Sequence, residues 1–219
     1  MKPSRKLMLA LAISALLLVG LACTREIGPS GIPVGSTAEP VKKDLTDFSQ
    51  IAGTNYLIAG VFSGERGSGL DSSLRSDIGY SYEVYNYVFY DMQSEQFHAL
   101  LPSNEYAIIN KIGMPICCDN SEKNPVKWWL YYVVKADTNQ DKLLSANDKF
   151  TLAVSDVGGN GYIELIPDVD ESLGQFMKSD TLLLFFYRQN DKKYYAKIDL
   201  QSRSVVSKTE YPSFGPDVK

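Results

Sequence analysis

Oxygen-bearing side chains are concentrated in one stretch of twelve residues, 137–148. They occupy its positions 1, 3, 5, 9 and 12, which are Asp137, Asn139, Asp141, Ser145 and Asp148. Oxygens that converge on one point are the ligands that a hard divalent cation such as Ca²⁺ requires. The spacing therefore predicts a calcium site in this stretch.

The spacing resembles the calcium loop of EF-hand proteins, and more closely that of dockerins, which also end in Asp. The resemblance implies Ca²⁺ as a cofactor. Its implied ligands are the side chains of Asp137, Asn139 and Asp141, the backbone carbonyl of Leu143, Ser145 directly or through water, and Asp148 as the closing carboxylate. Lys142 departs from the family, which has Gly at position 6. Because a residue with a Cβ costs about 1–2 kcal/mol at positive φ, we expect weak binding.

The segments on either side of this loop, residues 128–134 and 150–154, are β-type runs. A strand-loop-strand setting has no helix pair to open, so a bound ion would act as a structural staple rather than as a sensor switch. The alternative is a polar hairpin loop without a metal.

The beginning of the chain has the layout of an export signal. Residues 1–6 contain three basic side chains and no acid, and residues 7–22 are apolar or small with a single serine. As a helix, this apolar stretch would be about 24 Å long, shorter than the roughly 30 Å hydrocarbon core of a bilayer. Residues 1–22 are therefore predicted to be a cleaved signal peptide.

The apolar run ends in Gly20, Leu21, Ala22 and Cys23, a segment that resembles the lipobox of bacterial lipoproteins. In that family a diacylglyceryl group is attached to the cysteine, the chain is cut before it, and the new amino terminus is usually acylated. The resemblance implies a cell-envelope protein that contacts the membrane through lipid on Cys23. Gly20 departs from the usual Leu, and ordinary signal-peptidase cleavage is the alternative. Thr24, rather than Asp, implies the outer rather than the inner membrane of a Gram-negative cell.

Residues 23–45 are predicted to form a flexible tether, because glycines and prolines interrupt them and they have no hydrophobic period. Removal of residues 1–22 takes away three basic residues and no acid, which changes the net charge from −4 to −7. An acidic chain disfavours a nucleic-acid partner. We expect one β-rich domain over residues 46–212, followed by a short tail over 213–219.

Short runs rich in aromatic and β-branched residues alternate with turn signals from residue 48 onward. This pattern predicts an all-β domain of antiparallel strands. The predicted strands are residues 56–62, 82–90, 96–101, 106–109, 128–134, 150–154, 162–166, 181–187, 194–200 and 203–207. Two of them, 128–134 and 182–187, are apolar without alternation, which predicts strands covered on both faces. Residues 170–177 are predicted to form one or two helical turns.

Three segments, near residues 87–102, 150–167 and 194–207, share a plan of strand, polar turn and second strand. This plan resembles the blades of Tol-type periplasmic β-propellers. The resemblance covers three blades, fewer than the roughly four that close a ring. It implies an irregular or partial propeller-like array, with a β-sandwich as the alternative.

The sequence contains no recognisable catalytic constellation. His98 is the chain's only histidine and no G-x-S-x-G motif occurs, so a nucleophile-histidine-acid triad would depend on one residue in a predicted strand. Residues 156–161 are glycine-rich but precede a strand rather than a helix, which favours a hairpin turn over a phosphate loop. Cys117 and Cys118 are interpreted as structurally incidental thiols, with a strained vicinal disulfide as the alternative.

The remaining unusual feature is the count of 14 tyrosines and two tryptophans. Aromatic side chains on a β surface can anchor a protein partner or stack on a sugar ring. We therefore expect a lipid-anchored envelope protein with a non-catalytic β domain for protein interaction. The alternatives are a carbohydrate-binding lipoprotein and an envelope enzyme with an unrecognised site.

Overall fold

Antiparallel strands make up the regular secondary structure of residues 31–34, 43–63, 84–115 and 125–211, which the computed structural model describes. The strands are β1 Ile32–Pro33, β2 Lys43–Leu45, β3 Ser49–Gln50, β4 Tyr56–Ser63, β5 Val84–Asp91, β6 Gln96–Ala99, β7 Ala107–Met114, β8 Trp128–Val134, β9 Leu143–Leu144, β10 Phe150–Asp156, β11 Ile163–Val169, β12 Glu171–Met177, β13 Leu182–Gln189, β14 Lys192–Asp199 and β15 Ser204–Glu210. Within these ranges, no helix is long and apolar enough to cross a membrane.

The strands form a nine-stranded sheet, a four-stranded sheet and the two-stranded β1-β9 sheet, all antiparallel. One residue pair joins the two halves of the nine-stranded sheet, which we call the N-terminal sheet and the middle sheet. In the N-terminal sheet, β2 and β3 share one edge of β4, which continues through β5 to β6. The middle sheet has the order β7-β8-β10-β11, and one residue pair, Val84 with Ile108, joins it to β5. The C-terminal sheet has the order β12-β13-β14-β15. This partial, unclosed propeller-like array confirms the predicted fold class.

Strand β8 lies at the centre of the array because both of its faces are apolar. Tyr132 and Val134 pack into a core that reaches the C-terminal sheet, where Tyr132 meets Phe185 at a ring-centroid distance of 6.1 Å. On the opposite face, Tyr131 and Val133 pack into a second core toward the N-terminal sheet. The prediction of a strand covered on both faces is therefore confirmed for β8.

The same prediction is wrong for β13. Leu183, Phe185 and Tyr187 are fully buried, whereas the alternate residues Leu184 and Phe186 remain partly exposed. Apolar residues thus occupy both faces of this strand, but a packed neighbour covers only one of them.

All ten predicted strands are present wherever the structure describes their residues, with shifts of one to five residues at their ends. The prediction of helical turns at 170–177 is wrong, because Glu171–Met177 forms strand β12 and pairs with β13. Gly174 has a φ of +136° there, at an irregularity in the pairing of the two strands. Glycine readily adopts this backbone conformation, which other residues rarely do.

Two short strands lie within residues 23–45, the range predicted as a tether: β1 pairs with β9, and β2 pairs with β4. Cys23, the signal peptide, Cys117, Cys118 and the tail over 213–219 lie outside the described residues. The glycine-rich stretch 156–161 is a turn between β10 and β11, as predicted.

Candidate functional site

The calcium-type loop connects β8 to β10 and adopts a tightly turned backbone. Gln140 and Lys142 both lie in the left-handed region, at φ of +63° and +68°. Position 6 of the loop, where the EF-hand and dockerin loops that it resembles have glycine, therefore has a positive φ. Lys142 adopts this conformation despite its Cβ, which carries an energetic cost.

The first half of the loop holds its carboxylates by backbone hydrogen bonds. Asp137 accepts the N–H groups of Asp141 at 3.1 Å and Lys142 at 2.8 Å, and Asp141 accepts the N–H of Leu143 at 2.8 Å. The Nδ2 amide group of Asn139 donates to Asp141 at 3.0 Å. These bonds bring Asp137, Asn139 and Asp141 to one end of the loop.

Asp148, the expected closing ligand, is turned inward and is 2% exposed. Its carboxylate accepts the N–H groups of Thr138 at 2.6 Å, Asn139 at 3.2 Å and Ser145 at 3.0 Å, together with the Thr138 hydroxyl at 3.1 Å. Backbone donors of the loop itself therefore stabilise this charge. A cation at Asp148 would have to compete with four protein donors.

In the part of the chain that the structure describes, no group of three or more His, Cys, Asp or Glu side chains is placed to hold a metal ion. The Ser145 hydroxyl accepts the N–H of Asn147 at 3.2 Å. Leu143 pairs with Pro33 in the β1-β9 ladder.

The loop is joined to the beginning of the domain through β9. Leu144 pairs with Ile32, both side chains are buried in the larger core, and the N–H of Val34 donates to the Lys142 carbonyl at 2.9 Å. A Cβ on Gly31 would lie 2.6 Å from the Cβ of Leu143. Residues 31–34 thus lie closely against the loop.

A second candidate site is the outer face of the C-terminal sheet. Phe186 of β13 is directly opposite Gly174 of β12 and Tyr195 of β14, so side chains of three strands share this face. Phe176, Tyr195 and Tyr211 surround the Phe186 ring, with centroid distances of 6.0, 5.8 and 6.2 Å. We call these four residues the aromatic face.

The aromatic face is accessible and has basic neighbours. Phe176 is 61% exposed, and the other three rings are partly buried. Cross-strand pairing places Lys193 and Lys197 on the same face as Tyr195, with Arg188 and Leu184 opposite them. Arg188 forms an ion pair with Glu171 at 2.7 Å. The face therefore combines apolar rings with positive charge.

A smaller aromatic cluster lies on the N-terminal sheet. Phe97, 63% exposed, contacts Tyr90 at a centroid distance of 4.4 Å and Phe48 at 5.9 Å. Exposed aromatic rings that could provide surface contacts thus lie at two places in the structure, the aromatic face and the cluster around Phe97. Phe176 and Phe97, the most exposed rings of these two clusters, were not singled out by the sequence pattern.

His98 lies on strand β6, where it pairs with Phe89 of β5. Its ring stacks on Phe89 at 5.5 Å, and its buried Nε2 atom has no hydrogen-bond partner among the described residues. Of the two tryptophans, Trp128 packs against the larger core, and Trp129 donates its indole N–H to the Val157 carbonyl at 2.9 Å.

No protein-family model matches this chain, and no curated protein matches it. The similar solved structures include the following two. The β-propeller domain of the Trilobed protease from Pyrococcus furiosus has 11% identity and a TM-score of 0.39, and the match covers 80% of this chain and 46% of that chain. A chain in the structure of Tne2 in complex with Tni2 has 11% identity and a TM-score of 0.39, with 73% and 99% covered. The match thus spans about half the length of the first of these two chains, the β-propeller domain. The fold class rests on the strand order and register described above.

Proposed function

We propose that this protein is a lipid-anchored cell-envelope protein whose β domain is a non-catalytic module for protein interaction. The aromatic face of the C-terminal sheet is its docking surface in this proposal. The observation that supports it is the set of three ring contacts around the partly exposed Phe186.

The partner chemistry follows from charge and shape. The predicted mature chain is acidic, yet Lys193 and Lys197 border the aromatic face. Large rings that already touch one another lose little conformational freedom when a partner covers them, and aromatic residues dominate binding at many interfaces. A protein segment that combines acidic side chains with an apolar anchor fits this surface.

The ring orientations favour a protein over a carbohydrate. Phe176 and Tyr211 are inclined to Phe186 by 75° and 72°, and Tyr195 by 31°. A flat sugar ring stacks best on aromatic faces that lie in one plane. Edge-to-face packing instead creates recesses of the kind that apolar side chains fill.

The amino-terminal part of the chain supports a defined position for the domain relative to the membrane. Lipid on Cys23 would be followed by only a short segment before Ile32 pairs with Leu144. Eight residues, 24–31, extend to at most about 28 Å. In this proposal the anchor holds the domain close to the membrane surface, at the outer membrane if the cell is Gram-negative.

Calcium has a structural role in the same proposal. The carboxylates of Asp137 and Asp141 lie together in a turned loop, where a divalent cation would offset their mutual repulsion. Leu143 of the loop belongs to β9 and pairs with Pro33 of β1. An ion that orders the loop would therefore also stabilise the position of β1. Weak, extracellular-type affinity is consistent with the cost at Lys142.

Capture of the full lipidated chain from solubilised membranes tests the interaction. The double variant Phe176→Ala, Tyr195→Ala should bind a partner of the aromatic face about tenfold or more weakly than the unmodified chain does. Binding should also weaken on Lys193→Glu and at high salt. Phe97→Ala is the matched control, because Phe97 and Phe176 are 63% and 61% exposed.

Equal recovery by the aromatic-face variant and by the Phe97→Ala control would contradict the proposed surface. Binding to a panel of envelope glycans that depends on Phe176 and Tyr195, without a protein partner, would favour the carbohydrate alternative. Circular dichroism of each variant shows whether it has folded.

A further inference from the structure

A cleft with a volume of about 300 Å³ lies between the N-terminal and middle sheets. Its walls come from β3, β4, β7, β8 and the residues just before β8. The lining residues are Ser49, Gln50, Ile51, Ala52, Ile58, Lys111, Val126 and Trp129. This volume is at the lower end of the range found for small-molecule sites, roughly 300–1,000 Å³.

Lys111 supplies the only cationic group of this lining. It is partly buried and lies on β7, directly opposite Tyr131 of β8. Its Nζ atom is 4.2 Å from the centre of the Trp129 ring and 4.6 Å from that of Tyr87. Among the described residues, no carboxylate lies within ion-pair distance of this ammonium group.

The groups around Lys111 replace only part of the hydration that its ammonium group would have in water. Burial lowers the pKa of its ammonium group to about 8, and the two ring faces compensate only part of the lost hydration. An anion in the cleft would restore the missing electrostatic stabilisation. In a partly desolvated site this attraction is stronger than at an exposed surface.

The aromatic wall of the cleft, formed by Trp129, is fixed in place. Trp129 is held by its indole N–H bond to the Val157 carbonyl at 2.9 Å. Gly113, paired with Trp129 across the sheet, leaves the space that Val126 and the indole ring occupy, since a Cβ there would lie 2.8 Å from Val126 and 3.3 Å from Trp129. The cleft thus has a rigid aromatic side next to its charge.

We propose that this cleft binds a small apolar carboxylate, whose anionic group pairs with the Lys111 ammonium and whose hydrocarbon body lies against Trp129, Ile58 and Val126. Gln50 also lines the cleft; its Nε2 donates one hydrogen to the Thr54 carbonyl at 3.2 Å and retains a second for the other carboxylate oxygen. A single lysine next to Trp129, Ile58 and Val126 suits a singly charged ligand with a hydrophobic body better than a phosphate, which normally takes several cationic or backbone donors.

Titration with hexanoate, monitored by tryptophan fluorescence and by NMR chemical shifts of the indole N–H groups, tests the proposal. Hexanamide has the same body without the charge, and inorganic phosphate has charge without the body. We expect saturable binding of hexanoate at pH 7, with at least about tenfold weaker binding of both comparison compounds.

Variants of the full chain separate this site from others. Lys111→Met should weaken hexanoate binding by about tenfold or more, and Lys111→Arg should retain part of it. Lys127→Met is the matched control, because Lys127 is exposed and its Nζ lies 6.0 Å from the centre of the other indole, Trp128. This control should bind hexanoate as the unmodified chain does.

Binding should also fall at high pH, since only the protonated amine attracts the anion. From pH 7 to pH 9 the protonated fraction of a lysine with a pKa of about 8 falls roughly tenfold, and affinity should follow it. Equal binding of hexanamide, or unchanged binding by the folded Lys111→Met variant, would overturn the proposal. Absence of saturable hexanoate binding up to tens of millimolar would overturn it as well.

Discussion

Leu144 of the calcium-type loop pairs with Ile32, which is nine residues after Cys23, the predicted lipidation site. The loop is therefore in contact with the segment that follows this predicted site. A well-ordered loop would stabilise both the connection between β8 and β10 and the position of β1. This relationship makes the loop's own carboxylates the natural first targets for mutation.

Asp148→Ala should destabilise the domain even without calcium. The change removes the acceptor for the N–H groups of Thr138, Asn139 and Ser145. A buried unsatisfied donor such as the Ser145 N–H costs about 1–3 kcal/mol, and the part-buried N–H groups of Thr138 and Asn139 add less, so the free energy of unfolding should fall by roughly 2 kcal/mol or more. Urea unfolding measures this loss. Asp141→Ala, at an exposed position of the same loop, is the control and should cost clearly less; equal losses would show that Asp148 has no special structural role.

Calcium should raise the melting temperature modestly. At a tenfold excess over its dissociation constant, binding contributes about 1.4 kcal/mol, or roughly 3 °C for a domain of this size. Asp137→Ala should remove the increment, and Lys142→Gly should enlarge it by relieving the cost of positive φ at this residue. Magnesium should substitute poorly because it requires tighter octahedral geometry. If millimolar calcium produces neither heat in calorimetry nor a shift of the melting curve, the hairpin interpretation is correct.

Cys23→Ala should move the protein from the detergent phase to the aqueous phase and abolish its labelling by fatty acid. Several acyl chains make anchoring effectively stable, because each buried CH₂ contributes about 0.8 kcal/mol. Phase partitioning of cells labelled with a radioactive fatty acid measures both effects. Cys117→Ser is the control and should leave labelling unchanged. Persistent labelling of the Cys23→Ala variant would contradict the lipoprotein assignment.

The strands were predictable because their signal is local. In β10 and β14, β-branched and aromatic residues are bounded by turn residues, and such runs form strands in most contexts. Strand β12 has a weak signal, since Ser172, Gly174 and Gln175 have little preference for it. Its conformation comes from pairing with β13, a tertiary contact that a single-sequence pattern does not contain.

The candidate surfaces were less predictable for a related reason. The run from Leu182 to Tyr187 is apolar on both faces. Only the strand order shows that, within the part of the chain that the structure describes, no further layer covers the face with Phe186. Lys111 has no local motif at all. Its environment combines β5, β7 and β8, so Tyr87 and Trp129 approach it only in the folded chain.

Lys111→Met should stabilise the domain in a pH-dependent way. The folded protein lowers the pKa of Lys111 from 10.5 to about 8 through burial. Below pH 8 the lysine is protonated in both states, and the folded state bears the full cost of holding a charge in a poorly hydrated place. Between about pH 8 and 10.5 the unfolded chain binds more protons than the folded one, so the stability contribution of Lys111 rises with pH.

Methionine has a similar length without a charge, so the variant should melt at a higher temperature than the unmodified chain at pH 7. The difference should shrink steadily as the pH is raised from 8 toward 9.5. Melting curves of both proteins across this range measure the trend, with Lys127→Met as the exposed control, whose difference should stay flat. A gain for Lys111→Met that is independent of pH would instead reflect improved apolar packing. Such a result would mean that the Lys111 ammonium carries no desolvation cost in the folded domain.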